Sequence, residues 1–345
     1  MICYKHNKKK LTNIQMLRAF AAIHVVILHV LAVANVYHFS TFDTSSPIQN
    51  WGKCGVDIFF VISGFIMVYV QYYKKYSPTK FIVNRFIRIL PLYWVLTAAV
   101  IGMHIFMPNA FLQTHFSINW ALNSLFLTSQ FLEKQRPMLF DAWTLEFEMV
   151  FYLLFAAALI IPKMRFSFIA TALLIITLVI TRQASLMLEF LFGMIVAVIS
   201  LYKEPSVRVT FCVFLLGVIL LLASAIFQLE QINRVILWGM PAALLVFGLV
   251  NLPQYKNALL RKLGDASYSI YLFQVFAYLL FYKALTYMHA PQRFDVVYMV
   301  LCTLFSIFLG YCVYFFVELR LTHFIFNVRK NLGKMSGSAS DRVID

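Results

Sequence analysis

The sequence predicts an all-α, polytopic membrane bundle of about ten transmembrane helices with both termini cytoplasmic. Three observations predict it. Of 345 residues, 62% are hydrophobic and only 12% are charged, with a mean hydropathy of +0.80, where a soluble domain is about a quarter charged. Apolar runs of about 20 residues recur along the chain, the length a helix needs to cross a bilayer core. Runs of that length mean helices rather than a barrel, because lipid offers the backbone no hydrogen bonds. The basic residues then sit in alternate short connections. Seven (Lys53, Lys134, Arg136, Arg182, Arg234, Lys283, Arg293) face outward and the other 22 of 29 face inward, the footprint of the positive-inside rule. That pattern accounts for the net charge of +15 without a nucleic-acid partner.

Taken in order, residues 1–13 form a basic cytoplasmic start, 14–320 a transmembrane domain, and 321–345 a basic cytoplasmic tail expected to be disordered at its end. The first apolar run is too long for a cleaved signal and is expected to remain as span one, Ile14 to Tyr37. A polar loop free of lysine and arginine follows it. Span two runs from Trp51 to Tyr73, and a basic hairpin with Lys80, Arg85 and Arg88 leads into span three, Ile89 to Met107. The amphipathic stretch Pro108 to Asp141 is expected to be interfacial or re-entrant. Span four is Trp143 to Ile161, spans five and six are Phe166 to Ile180 and Ser185 to Leu201, and span seven ends near Phe227. Span eight, Val235 to Val250, should kink at Pro241. Spans nine and ten are Ser267 to Tyr287 and Val296 to Val317.

Chemistry is sought where ionisable residues meet these apolar runs, because such residues are costly at membrane depth. Arg18 and His29 are eleven positions apart in span one. That spacing brings them within about 20° of one helix face, about 16 Å apart along the axis. Arg18 can snorkel to the inner interface, whereas about four apolar turns separate His29 from the basic start. Asp57 opens the apolar part of span two at its outer end and is expected to partner His29, fixing its tautomer. Asp141, Glu146 and Glu148 enter span four. Glu148 is the deepest and is expected to face the bundle, either in a site or paired with Arg182 or another helix. Arg85 and Arg88 project from one face and could clamp phosphates bidentately, although inward positive charge alone also places arginines there. Ser63 and Gly64 read as a close helix contact. His24 and His29 point about 140° apart and cannot share a metal. The five cysteines (Cys3, Cys54, Cys212, Cys302, Cys312) have no ligand spacing, so no metal or disulfide framework is expected. Trp51, Trp120 and Trp143 fall on the outer side, suited to an aromatic belt or to sugar stacking.

Together these stretches resemble acyltransferase family 3, polytopic O-acyltransferases of bacterial surface polysaccharides, and most closely the exopolysaccharide-acetylating branch. The likeness runs from Leu17 to about Leu321. Arg18 and His29 match the Arg-x10-His signature. GVDIFFVISGF (Gly55 to Phe65) matches the second-span motif, and Arg85-Phe-Ile-Arg88 the arginine pair before span three. WTLEFEMVFY places Glu148 on the family's glutamate, and LGDASYSIYLF matches the ninth-span motif. One departure is Gln274, where that motif usually ends in histidine; Gln bonds but takes no proton.

The resemblance implies a multi-pass protein of the bacterial inner membrane with no permanently bound cofactor. Its co-substrate would be an acyl-CoA, expected to be acetyl-CoA, met from the cytoplasm. Its acceptor would be a hydroxyl of a polysaccharide or lipid-linked glycan. Arg18, Arg85 and Arg88 would hold the CoA phosphates, and His29 would act as general base with Glu148 or Asp57 orienting it. Trp143, Tyr268 and Gln274 are the acceptor-side candidates. A glycan or small-solute transporter would share the length and buried charges, but its inverted repeats are not visible here. An acyl-CoA-binding relative impaired in catalysis is the reading that Gln274 motivates.

Overall fold

The computed structural model describes residues 11–40, 51–106, 116–227 and 232–340. The basic start with Lys5, Lys8, Lys9 and Lys10, most of the polar loop before Trp51, residues 107–115, residues 228–231 and the end of the tail lie outside them. The described residues contain helices and no strand, as an apolar chain that must satisfy its backbone internally requires.

The helices are α1 (Thr12–Val36), α2 (Cys54–Lys74), α3 (Pro78–Phe106), the short α4 (Ile118–Leu125) and α5 (Ser129–Leu132), and α6 (Trp143–Ala158). Then come α7 (Met164–Arg182), α8 (Met187–Tyr202), α9 (Val207–Ile226), α10 (Met240–Asn251), α11 (Ala258–Asp265), α12 (Ser267–Tyr287), α13 (Asp295–Val313) and α14 (Leu319–Ser340). Among the described residues, seven helical stretches are long and apolar enough to cross a membrane: α1, α2, α3, α7, α9, α12 and the continuous rod Gln292–Arg329. Met187–Tyr202 and Val235–Asn251 are apolar but shorter. The chain is therefore an all-α, polytopic membrane bundle.

Two local outcomes differ from the sequence expectation. The basic stretch expected as a hairpin is helix, so Arg85 and Arg88 stand on α3 itself; the turn is confined to Lys75–Ser77, with Lys75 left-handed at φ 44°. Gln71 braces that turn, donating to the Tyr76 carbonyl at 2.9 Å and accepting from its N–H at 3.1 Å. Before Pro241 the chain makes a π turn, Val235–Gly239, which relieves the clash a proline ring makes with the preceding turn. A second π turn, Tyr314–Glu318, joins α13 to α14.

The core is organised about α1, which buries two faces. Ile14, Leu17, Ala21 and Val25 join the larger apolar cluster with α2, α6 and α8. Ala22, Val26, Val30 and Ala34 face α12 and α13. Asn13 ties the start of α1 to the chain after α10, donating to the Leu249 and Pro253 carbonyls and accepting from the Tyr255 N–H. Glu146, read from sequence only as one of three carboxylates, accepts from the N–H groups of Ser129 (3.1 Å) and Gln130 (2.8 Å) and so anchors α5.

Two glycines bring α2 and α8 very close together. A Cβ added at Gly64 would lie 2.0 Å from the Phe190 carbonyl oxygen, and one at Gly193 would lie 2.0 Å from that of Val61. Small residues of this kind let backbones meet where lipid gives no hydrophobic drive to associate. Gly193→Leu should cost at least about 1–3 kcal/mol of stability, read as a lowered Tm and loss of the monodisperse peak in detergent. Gly102→Ala, whose Cβ would meet nothing within 4 Å, should leave both unchanged.

Candidate active site

The functional side chains gather in two places joined by a narrow cavity. At the end of the bundle that carries Lys74 and Lys80, a wide mouth of about 940 Å³ opens. Behind it runs a slender cavity of about 100 Å³. Arg18, Arg85 and Arg88 line both, so they form the neck between them. Arg85 lies against the Phe81 and Tyr152 rings, and its Nε has no hydrogen-bond partner among the described residues. A buried guanidinium with a free donor is ready for an anion.

Glu148 stands in this cavity, not beside His29. Its Oε1 accepts from Ser63 Oγ at 2.7 Å and from the Tyr152 hydroxyl. Tyr152 follows Glu148 by one helical turn, and Ser63 is brought in by the α2–α8 packing. Tyr268 lies in the same cavity as the neck arginines and donates to the Ile89 carbonyl at 2.7 Å.

Beyond the cavity, α12 presents Tyr271, Gln274 and Tyr278 on one face, as their spacing of three and four dictates. Tyr271 and Thr144 close the cavity end. Their hydroxyls are 2.9 Å apart, and Tyr271 donates to the Asp141 carbonyl at 2.8 Å. On the other side of these bonds are Asp141 and His29. His29 Nε2 is 3.3 Å from Asp141 Oδ1, and Nδ1 is 3.0 Å from the Val25 carbonyl one turn back. A carbonyl only accepts, so Nδ1 carries the hydrogen and Nε2 is the nitrogen available for chemistry. Gln274 Nε2 donates to Asp141 Oδ2 at 2.8 Å and to the Tyr271 carbonyl. The Asp141 side chain is 1% exposed and that of His29 is 19% exposed. Burial therefore pushes the Asp141 carboxyl up, against the opposing pull of His29, Gln274 and Arg136.

Asp57 is not the partner of His29. Its carboxylate forks with Arg234, Nε to Oδ1 at 3.0 Å and Nη2 to Oδ2 at 2.9 Å. Arg234 in turn stacks near Trp143 and Trp238, which places Trp143 at the end of the bundle opposite the wide mouth. Glu189, fully buried on α8, lies beside this pair. Sequence reading saw Arg234 only as a topological charge and did not single out Glu189. Asp141 was visible as a carboxylate just before Trp143, but nothing local pointed it at His29. His24 is held between the Phe20 and Trp51 rings.

This is a membrane bundle with a cationic mouth, an internal cavity behind it and a histidine–carboxylate pair beyond that cavity. The family profile described as an acyltransferase domain matches residues 11–315, and the chain belongs to that family, acyltransferase family 3. It is similar to the exopolysaccharide production protein ExoZ of Rhizobium meliloti (strain 1021), 32% identical over 252 residues, covering 66% of this chain and 76% of that protein. No solved structure matches the chain. The protein is thus a membrane acyltransferase, and acyl-CoA is the co-substrate of that chemistry.

Breaking a buried ion pair strands the remaining charge. Arg234→Ala should lower stability by about 3–5 kcal/mol, measured by thermal unfolding in detergent. The double variant Asp57→Asn with Arg234→Gln should regain part of that loss.

Proposed function

We propose that this protein moves an acetyl group from acetyl-CoA to a hydroxyl of an exopolysaccharide or its lipid-linked precursor, with His29 as general base. The observation that carries the reading is the juxtaposition of His29, Asp141 and Gln274 just beyond a cavity whose other end is ringed by three arginines. On this reading the bundle crosses the inner membrane ten times with both termini cytoplasmic. Met187–Tyr202, Val235–Asn251 and Trp143–Ala158 supply the three crossings beyond the seven longer ones. The wide mouth then faces the cytoplasm, where acyl-CoA is found, and His29 faces the side from which the glycan comes.

Arg18, Arg85 and Arg88 hold the CoA phosphates at the neck, and the slender cavity takes the pantetheine arm past Glu148 and Ser63. Thr144 and Tyr271 part to admit the thioester. The acceptor oxygen attacks the thioester carbonyl, a C–O bond forms, the C–S bond breaks, and the hydroxyl proton passes to His29 Nε2. The imidazolium then gives that proton to the departing CoA thiolate, which restores His29 as base. Asp141 lies where it stabilises the imidazolium so formed. Gln274 keeps Asp141 in place, a task that needs a hydrogen-bond donor and no proton transfer, so glutamine serves where relatives carry histidine. Asp57 and Glu148 support this machinery from a distance, Asp57 through Arg234 and Glu148 among the donor-site arginines. Trp143, beside Arg234, offers a ring to the incoming sugar.

Membranes carrying the native protein should transfer label from radiolabelled acetyl-CoA to surface glycan, and His29→Ala at equal expression should lose on the order of 10²–10⁴-fold of that rate. Equal labelling by the two would remove His29 from the chemistry. Asp141→Asn keeps the size of the side chain but removes the charge beside the imidazolium formed during transfer, so kcat should fall while KM for acetyl-CoA changes little. An unchanged kcat would leave Asp141 a purely structural neighbour.

A further inference from the structure

The wide mouth is far larger than three neck arginines require. Its cations fall into two tiers. The inner tier is Arg18, Arg85 and Arg88, shared with the slender cavity; the outer tier, Lys74, Lys80 and Arg329, lines the mouth alone. The tiers are connected along α3. Lys80, Asn84 and Arg88 recur every fourth residue and so form one row on one face, about 12 Å from first to last. Arg329 reaches the middle of that row from α14, donating from Nη1 to Asn84 Oδ1 at 3.0 Å. Lys74 and Lys80 flank the α2–α3 turn, their ammonium groups 5.5 and 5.4 Å from the Tyr76 ring. Three helices thus present three cations to one mouth, a concentration of positive charge that attracts anions. Two carboxylates, Asp265 and Glu318, also line the mouth. Glu318 already accepts from Ser269 and lies beside Arg18 and Arg88, so it serves the inner tier.

An acyl-CoA carries two separate anionic groups, a diphosphate next to the pantetheine arm and a monophosphate on the 3′ carbon of the ribose. With the arm in the slender cavity, the diphosphate meets the neck, and the 3′-phosphate is left further out in the mouth. We propose that Lys74, Lys80 and Arg329 form a subsite for that 3′-phosphate, so that the enzyme selects CoA thioesters over those of dephospho-CoA. The inference rests on the reading that acyl-CoA enters by this mouth. It also gives α14 a part in the donor site, since Arg329 lies beyond the last predicted span.

The test is binding of CoA and of dephospho-CoA, which differ only in the 3′-phosphate, to the purified full-length protein in zwitterionic-lipid nanodiscs. The native protein should prefer CoA by about tenfold or more, the effect expected of charge-assisted hydrogen bonds to one phosphate. In the combined variant Lys74→Gln, Lys80→Gln, Arg329→Gln, the ratio of the two affinities should fall close to one. Lys80→Arg, which keeps the charge, should preserve the preference. Adenosine 3′,5′-bisphosphate, which has no pantetheine arm, should compete with CoA on the native protein and lose that ability in the combined variant. Equal binding of CoA and dephospho-CoA by the native protein, or a preference that survives all three substitutions, would overturn the subsite while leaving the donor reading intact. Failure of the native protein to bind either would overturn the donor reading with it.

Discussion

A charge inside this bundle is tolerable only with a partner, because water is excluded and an isolated ion is too costly to keep. That constraint arranges the structure. At one end Asp57 and Arg234 neutralise each other by a two-pronged contact. At the other, Glu148 is held by Ser63 and Tyr152 among the neck arginines. Beyond the cavity Asp141 is shared by His29 and Gln274. Each partnership joins helices remote in sequence, so the pairing that makes burial tolerable also fixes how those helices lie against one another.

The three partnerships differ in what they leave over. The Asp57–Arg234 contact uses the carboxylate fully and is structural in character, locking α2 to the segment before the π turn. The three neck arginines outnumber the two carboxylates beside them, Glu148 and Glu318, and this surplus of positive charge suits a polyanionic donor. The His29–Asp141 contact is made through Nε2, with Nδ1 on the Val25 carbonyl, and the imidazole stays partly exposed. A surplus of positive charge at one place and a partly exposed imidazole at the other are the two features the proposed acyl transfer draws on.

The helix α1 carries both ends of that arrangement. Because it is packed on two faces, it is a rigid spacer that holds Arg18 and His29 about three turns apart. The close α2–α8 crossing serves the same geometry from the side, since Ser63 lies next to the glycine at which those backbones meet.

Much of the fold was legible in the chain. The apolar runs, their polar boundaries and the alternation of basic connections are local properties, and a helix in lipid needs nothing beyond its own residues to satisfy its backbone. For the same reason Arg18, His29, Arg85, Arg88 and Glu148 stood out as ionisable residues in or beside apolar runs, and Ser63–Gly64 as a packing contact. Helical periodicity tells which residues share a face, but not which helix that face meets or how it is rotated. Asp57 and Glu148 were therefore the candidates for His29, and Asp141 was not among them. Tertiary packing separated them, giving Asp57 to Arg234, Glu148 to Ser63 and Asp141 to His29 and Gln274. The sequence by itself determined the helices and the charges they carry. Only the tertiary structure decided how those charges pair, because a buried charge is satisfied by whichever partner the packing brings near, however distant in the chain.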